Sequence, residues 1–204
     1  MSQAVPHVEH RDDIGSKMGM WLFIFTELFL FGGLFLVYAV YRNMYSKEFH
    51  DAALQLNVFI GAINTVALLV SSMTVAMSIT AMQKNDIKLS LRLLIVTLLL
   101  AGVFLVNKYF EYGHKFEVGL YPGSDLMMNV KHGAYLFIAL YFFMTGLHGF
   151  HIIVGMVLLT VAYFKIKNKS ITPDNHTLLE NVGLYWHLVD LIWIFVFPLL
   201  YLIT

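Results

Sequence analysis

Five long apolar stretches run along the chain, separated by short polar segments. They cover about residues 18–41, 56–81, 89–111, 132–165 and 178–203. A transmembrane α-helix needs roughly 20 consecutive apolar residues, so all five stretches are long enough, or nearly so, to span a membrane. They are continuous, whereas the strands of a membrane β-barrel are segments of about 10 residues with alternating polarity. The pattern predicts an all-α integral membrane bundle of five transmembrane helices, in one membrane domain over residues 1–204.

The composition agrees with that fold class. Of the 204 residues, 59% are hydrophobic and only 13% are charged, and the mean hydropathy is +0.72. This is far more apolar surface than a water-soluble domain carries. The absence of cysteine excludes disulfides, thiolate metal sites and thiol nucleophiles. The zero net charge provides no basic footprint, so we expect no nucleic-acid partner.

The distribution of basic residues predicts the orientation of the helices. The N-terminal segment and the second and fourth connections hold eight Lys and Arg residues, against five on the other side. Basic residues concentrate on the cytoplasmic side of membrane proteins. We therefore place the N-terminus in the cytoplasm and the C-terminus outside. The connection over residues 111–130 contains Gly119, Pro122 and Gly123, and we expect it to be an external loop.

One face of the second stretch carries small and polar side chains at spacings of four and three residues. Lipid provides no hydrophobic force between helices, so close approach at small residues and interhelical hydrogen bonds must hold them together. This seam predicts tight helix packing rather than a transport path. Its members are Asn57, Gly61, Asn64, Leu68, Ser71, Val75 and Ser78.

Glu27 is a carboxylic acid near the middle of the first stretch. It follows Met18 by nine residues, which is roughly 13 Å along a helix, and no basic residue lies within two turns of it in the sequence. Burial in lipid disfavours the charged form, so we expect a neutral acid that can donate a hydrogen bond. Two interpretations remain open: an interhelical structural acid, or a proton relay.

Histidines occur in the last two stretches. His148 and His151 are about one turn apart on one helix, and His187 lies on the next, at a depth within about one turn of His151. Two imidazoles on facing helices could ligate a haem iron. Hydrogen-bonded packing is the alternative, and Asp190, three residues after His187, is the expected local partner. The spacing of carboxylates and imidazoles matches no recognisable metal site, so we predict neither a metal site nor a catalytic residue in this chain.

An aromatic stripe runs along the last stretch. Trp186, Asp190, Trp193 and Phe197 recur at spacings of four, three and four residues, so a carboxylate interrupts the aromatic side chains. Buried indole N–H groups need acceptors. The stripe therefore predicts an interface with a neighbouring helix that carries polar groups.

Four sequence blocks follow one another over nearly all the chain after residue 14. They are Gly19–Phe31, Lys108–Glu111, Thr145–His151, and Trp186-His187 with Asp190 and Trp193. The blocks resemble subunit III of the haem-copper terminal oxidases, the cytochrome c and quinol oxidases. Each block alone is a weak signal, but the four together and in order are specific. In this resemblance Glu27 falls at the position of the family's carbodiimide-reactive glutamate, and Glu180 also falls at a family position.

The resemblance implies a subunit without a redox cofactor of its own. It implies contact with oxidase subunit I, and a complex with subunit II and other respiratory subunits that hold the haems and copper. It also implies bound structural phospholipids, support of proton uptake, and a longer catalytic lifetime for the enzyme. The implied location is the cytoplasmic membrane of a bacterium or archaeon, with several membrane passes.

The chain departs from the family pattern in three places. It resembles the short form with five helices, which lacks the first two helices of the long form and part of the lipid cleft between the two groups of helices. Lys108 stands where an acid is common. Lys165 stands where an arginine that binds phosphate is common; it keeps the charge but loses the bidentate geometry. The Lys165, Lys167 and Lys169 cluster suits anionic head groups, and we expect Lys165 to contact them.

These observations favour a non-catalytic subunit III of a respiratory oxidase that reduces oxygen to water and pumps protons. Its buried polar framework would comprise His148, His151, Glu180, His187 and Asp190 together with Glu27. A membrane cytochrome, with two haems or reactive with quinone, that uses His148 or His151 with His187 is the alternative from a different class. The related accessory protein of nitric oxide reductases is a further alternative.

Overall fold

The computed structural model describes residues 13–128, 130–173 and 175–203. The described chain folds into helices, and its only strand-like feature is one isolated bridge between Thr172 and Asn175. The helices are α1 (Asp13–Met44), α2 (Ser46–Ala53), α3 (Val58–Gln83), α4 (Ile87–Val118), α5 (Asp125–Met128), α6 (His132–Lys167) and α7 (Thr177–Tyr201).

Five of these helices are long and apolar enough to span a membrane, namely α1, α3, α4, α6 and α7. They coincide with the five apolar stretches, so the predicted all-α bundle of five transmembrane helices is confirmed. The two remaining helices are short and lie in connections. Helix α2 is amphipathic and buries Phe49, Ala52 and Ala53, which explains why the polar segment between the first two apolar stretches is helical.

Helix α4 is longer than its apolar stretch, which was expected to end near residue 111. It continues to Val118 because Glu111 and Lys115 face other helices and are buried, although they lower the local hydropathy. Gly119 then ends the helix in the left-handed conformation, with φ +77°, which glycine adopts without steric strain. The expected external loop over residues 111–130 is therefore wrong in its first part, and only the segment after Val118 connects the helices.

Helix α7 is the centre of the bundle. In the most apolar 18 residues of α7, 56% of the residues are buried inside the bundle, whereas in those of α1 only 11% are buried. It packs against α1, α3 and α6, while α4 packs against α3 and α6. Two glycines allow close contact with α7: a Cβ on Gly61 would lie 2.7 Å from the Phe197 ring, and a Cβ on Gly155 would lie 2.7 Å from the Trp186 ring.

The seam on α3 lies inside the bundle, with one exception. Gly61, Asn64, Leu68, Ser71, Val75 and Ser78 are buried between α4 and α7. Asn57 does not belong with them: it is exposed and caps the helix, and its side chain accepts hydrogen bonds from the backbone N–H groups of Phe59 and Ile60 at 3.0 and 3.2 Å. An Asn just before a helix satisfies N–H groups that lack partners within the helix, which explains the difference.

The starts of α1 and α7 lie together. Lys17 Nζ is 2.8 Å from Glu180 Oε2, and Asn181 Nδ2 donates to Ser16 Oγ at 2.9 Å. The start of α1 and the end of α7 therefore lie at opposite ends of the bundle.

Candidate functional site

Glu27 and His151 form a polar contact between α1 and α6. Glu27 Oε2 is 2.9 Å from His151 Nε2, and the side chains are 13% and 9% exposed. His151 Nδ1 is 2.8 Å from the carbonyl oxygen of Leu147, which can only accept a hydrogen bond, so Nδ1 carries a proton. The distance between Nε2 and Oε2 suits a hydrogen bond with one proton between the two atoms.

Neighbouring groups fix the His151 ring and tie the contact to α7. The Phe31 ring lies edge-on at 5.4 Å from it, and Tyr185 OH donates to the His151 carbonyl at 3.1 Å. The contact thus joins α1, α6 and α7 at a depth where water is scarce. Such an arrangement can hold helices together and can store a proton.

Three side chains of α7 form hydrogen bonds with hydroxyls of α3. Trp186 Nε1 donates to Ser71 Oγ at 3.0 Å, and His187 Nδ1 lies 2.6 Å from Ser72 Oγ. Trp193 Nε1 donates to Thr65 Oγ1 at 3.0 Å. The acceptors for both indoles are therefore on the neighbouring helix α3. Ser72 and Thr65 could not be identified from the pattern of the seam, because they lie beside it on the helix and do not belong to it.

Asp190 differs from its expected role. Its side chain was expected to pair with His187, but that histidine's ring is bonded to Ser72 on α3. Asp190 is 3% exposed, and among the described residues neither of its carboxyl oxygens has a hydrogen bond. The reason is geometric: the side chains of α7 at this level reach across to α3 instead of along their own helix.

The contact between α3 and α4 is lined by hydrogen-bonded polar pairs. The residues of these pairs on α4, and Thr74 on α3, were not among the predicted site residues. Each of them lies on a helix face together with other small and polar residues. The pairs are Asn107 Nδ2 to Asn64 Oδ1 at 2.8 Å, Thr74 Oγ1 with Thr97 Oγ1 at 2.7 Å, and Ser78 Oγ with Ser90 Oγ at 2.9 Å.

His148 has a different environment from the other histidines. It is fully buried, its ring stacks on Trp193 with the centroids 5.0 Å apart, and Phe104 lies edge-on at 5.5 Å. Within the described chain neither ring nitrogen has a hydrogen-bond partner. The structure thus places His148 in an aromatic cluster and does not bring it together with His151 or His187 in one site.

A buried ionic cluster at the other end of the bundle was not predicted as a site. Lys108 Nζ lies 2.9 Å from Glu111 Oε2 and donates to Tyr201 OH at 2.5 Å. Tyr201 and Tyr141 donate to Glu111 Oε1 at 2.6 and 2.7 Å. Glu111 therefore accepts three hydrogen bonds, and the cluster ties α4 to α6 and to the last residue of α7.

Aromatic faces and a second lysine complete the cluster. Lys108 Nζ lies 4.9 Å from the centroid of the Trp193 ring, and Lys115 Nζ lies 5.0 Å from that of Tyr141. Both distances suit attraction between a cation and a ring. Tyr112 OH donates to Thr145 Oγ1 at 2.6 Å and extends the polar groups towards the surface. The nearby buried charges are two ammonium groups and one carboxylate.

Two expected site residues lie at the membrane face where α1 and α7 begin and α6 ends. Glu180 contacts Lys17, and its Oε1 is 3.1 Å from His176 Nε2. Lys165 is exposed in the last turn of α6, beside Lys167. Its carbonyl oxygen accepts from the backbone N–H groups of Ser170 and Ile171, so the segment after α6 folds back and leaves the lysine side chains outward.

A groove runs along the outer surface between α4 and α6. One part has a volume of about 540 Å³, and the adjoining part, which shares Leu105 and Ile153 with it, has about 390 Å³. Gly146 and Gly149 line it, and a Cβ on Gly149 would meet no atom within 4 Å. From Thr145 to Val161 the groove extends about 24 Å along α6, more than the roughly 15 Å of one lipid leaflet.

Within the described ranges, no three His, Asp or Glu side chains come together in a geometry that would hold a metal ion. The polar groups are instead distributed over several helix contacts.

Comparison with known proteins agrees with the four sequence blocks. The family model of cytochrome c oxidase subunit III matches residues 6–204. The chain belongs to this family. The cytochrome c oxidase subunit 3 of Thermostichus vulcanus is 30% identical over 202 residues, which cover 98% of this chain and 93% of that protein. The predicted family membership is therefore confirmed.

Relatives of the subunit III family include proteins named for either electron donor. The probable quinol oxidase subunit 3 of Staphylococcus saprophyticus is 31% identical over 207 residues, which cover 100% of this chain and 97% of that protein. The cytochrome c oxidase subunit 3 of Corynebacterium diphtheriae is 30% identical over 189 residues, which cover 92% and 87%. The chain is thus a multi-pass membrane subunit of the haem-copper oxidase type.

Proposed function

We propose that this chain is a non-catalytic integral subunit of a respiratory haem-copper oxidase, which reduces oxygen to water and couples the reaction to proton pumping. The observation that carries the proposal is the match of the family over nearly the whole chain. The positions of the histidines support it: His151 contacts Glu27 and His187 contacts Ser72, so both serve helix contacts. In this proposal the haems and copper belong to partner subunits.

The chain stabilises oxidase subunit I by packing against it in the membrane, in a complex with subunit II and other respiratory subunits. The outer face of α1 supports this role, since Trp21, Phe25 and Phe29 are all more than half exposed. Apolar side chains on a bundle surface are available to a partner helix or to lipid. The complex lies in the cytoplasmic membrane of a bacterium or archaeon, with the N-terminus in the cytoplasm.

Phospholipid binds along the groove between α4 and α6. The surface of the groove is mostly apolar, and its length of about 24 Å along α6 exceeds the roughly 15 Å of one lipid leaflet, so it can hold a hydrocarbon chain. Its glycines keep the surface concave, because they place no side chain in it. At the face where α6 ends, Lys165 contacts anionic head groups as a point charge.

Support of proton uptake rests on the Glu27 and His151 contact. The shared proton between Glu27 and His151 Nε2 can move between a neutral pair and an ion pair without leaving the site. A neighbouring catalytic subunit can therefore take up the proton that this pair holds. The packing of α1 against α6 keeps the two side chains in contact, and so keeps the proton there.

Purification of the tagged full-length chain from its native membrane tests the proposal. We expect co-purification with a haem-copper subunit I, identified by mass spectrometry, and haem absorption that stays with that subunit after dissociation. A chain that purifies alone and carries haem absorption itself would instead support the cytochrome interpretation.

Lipid binding in the groove has a separate test. Gly149→Leu adds a side chain to the groove at a position where a Cβ meets no atom within 4 Å, and Gly19→Leu, at an exposed position of α1 where a Cβ also meets none, is a control of the same size. We expect the complex with Gly149→Leu to retain fewer phospholipids per haem than the complex with Gly19→Leu, as counted by lipid mass spectrometry. Equal lipid content in the two complexes would refute this part of the proposal.

A further inference from the structure

The groove between α4 and α6 has a positively charged end. Lys108 is the one charged side chain among the described residues that line it, and it is only 7% exposed. Tyr112 and Thr145 lie beside it in the groove, but their O–H groups are already used. Tyr112 donates to Thr145 Oγ1, and Thr145 donates to the Tyr141 carbonyl at 2.6 Å. The Lys108 ammonium is therefore the charged donor that the groove offers to a ligand.

The Lys108 ammonium can donate one more hydrogen bond than the described chain accepts. An ammonium group has three N–H donors. Two of them are used, by Glu111 Oε2 at 2.9 Å and by Tyr201 OH at 2.5 Å. The ring of Trp193, 4.9 Å from Nζ, attracts the charge but provides no oxygen. An oxygen that accepts the third N–H has to come from outside the described chain.

The buried charges at this end of the groove do not balance. Lys115 is a second ammonium, 4% exposed, and its Nζ lies over the Tyr141 ring. Glu111 is the one carboxylate of the cluster, and it already accepts from Lys108, Tyr141 and Tyr201. The cluster thus has an excess of one positive charge, and its carboxylate is not available to a cationic head group. Because buried charges are stable only with opposite charges, the cluster is complementary to an anion.

This end of the groove lies at the edge of the membrane. Tyr201, which contacts Lys108, is the last residue of α7, and a Cβ on Gly61, in the first turn of α3, would lie 3.1 Å from the Tyr201 ring. Two membrane-spanning helices thus begin or end at the level of Lys108, whereas α4 continues to Val118, about 15 Å further along its axis. Head groups lie at this level, and the rest of the groove runs from it into the hydrocarbon layer.

We infer that the end of the groove at Lys108 binds the phosphate of an anionic phospholipid, whose hydrocarbon chain lies along the groove. The inference rests on the proposed binding of phospholipid there, and it adds the class of head group. A phosphate oxygen accepts the third N–H of Lys108, and the negative charge of the lipid balances the cluster. A zwitterionic lipid also has a phosphate, but its net charge is zero and leaves the excess positive charge uncompensated.

Quenching of a single fluorophore by brominated lipids tests the inference in the full-length chain. The chain contains no cysteine, so Ile153→Cys, at a half-exposed position in the groove, provides one thiol for a bimane label. Vesicles contain brominated phosphatidylglycerol or brominated phosphatidylcholine with the same chains. We expect phosphatidylglycerol to bind about fivefold more tightly at this label, which is the effect of one basic residue near a membrane surface. Phe29→Cys, on the outer face of α1, is the control and should show equal affinities.

The double variant Lys108→Met with Glu111→Leu removes the ammonium from the groove together with its carboxylate. At the Ile153→Cys label we expect the preference for phosphatidylglycerol to disappear and quenching by phosphatidylcholine to stay unchanged. Lys88→Met, at an exposed position of α4, should keep the preference. Equal affinities in the labelled parent chain, or a preference that survives in the double variant, would overturn the inference and leave lipid binding in the groove intact. Quenching by neither lipid would refute the proposed lipid binding itself, and the inference with it.

Discussion

Lys108 and Glu111 form a buried ion pair within one turn of α4, with Nζ and Oε2 2.9 Å apart and side chains only 8% and 6% exposed. The same carboxylate accepts from Tyr141 and Tyr201, so one ion pair connects three helices. A buried pair of this kind is sensitive to the loss of one partner, since the remaining charge then has no counter-charge.

Lys108→Met should therefore destabilise the bundle strongly, by about 3 kcal/mol, because Glu111 loses the ammonium group that its carboxylate contacts. The double variant Lys108→Met with Glu111→Leu should recover much of that loss. Unfolding of the purified chain by sodium dodecyl sulphate in mixed micelles measures both, and Lys88→Met, at an exposed position, is the control. A single variant no less stable than the control would show that the pair does not hold the helices.

Glu27 should be a neutral acid that donates to His151 Nε2. When His151 is neutral and its Nδ1–H donates to the Leu147 carbonyl, Nε2 is an acceptor, and the contact with Glu27 then has the proton on the acid. The infrared spectrum should contain a protonated-carboxyl band that disappears in Glu27→Gln. Persistence of every such band in that variant would place the proton on the imidazole instead.

Replacing a glycine inside the bundle should lower the stability of the chain, whereas replacing a glycine on its surface should raise it slightly. In Gly155→Ala, the new Cβ would lie 2.7 Å from the Trp186 ring, so the variant should be less stable by about 1–3 kcal/mol. Gly33→Ala meets no atom within 4 Å and should gain a few tenths to about 1 kcal/mol in helix propensity. The same unfolding assay distinguishes them. Similar effects of the two substitutions would contradict the close contact of α6 and α7.

The number of membrane-spanning helices could be predicted because each span has a long apolar sequence. The end of α4 could not, since Glu111, Lys115 and Glu117 interrupt that signal. Their turns are stabilised by contacts with α6 and α7, which a local pattern does not contain. The short helix α2 was missed for a similar reason: its buried face is only Phe49 and two alanines.

The candidate site, like the fold, could be predicted from the sequence only in part. The spacing on α3 identified the buried face correctly from Gly61 to Ser78, because helical periodicity is a local property. The partners of individual groups could not be predicted from one helix alone. His187 contacts Ser72 instead of Asp190 because the rotation of α7 against α3 determines which hydroxyl its ring reaches. Lys108 stood out in the sequence only as a departure from the family pattern, and its three aromatic neighbours become apparent only in the fold.

The central claim is that the chain sustains an oxidase without carrying out its chemistry, and the lifetime of the complex during turnover tests it most directly. Oxygen consumption should be recorded to complete inactivation for the purified complex with and without this chain, at equal haem content. We predict a similar initial rate and a clearly smaller total number of turnovers when the chain is absent. No initial activity without the chain, or an unchanged lifetime, would contradict the account.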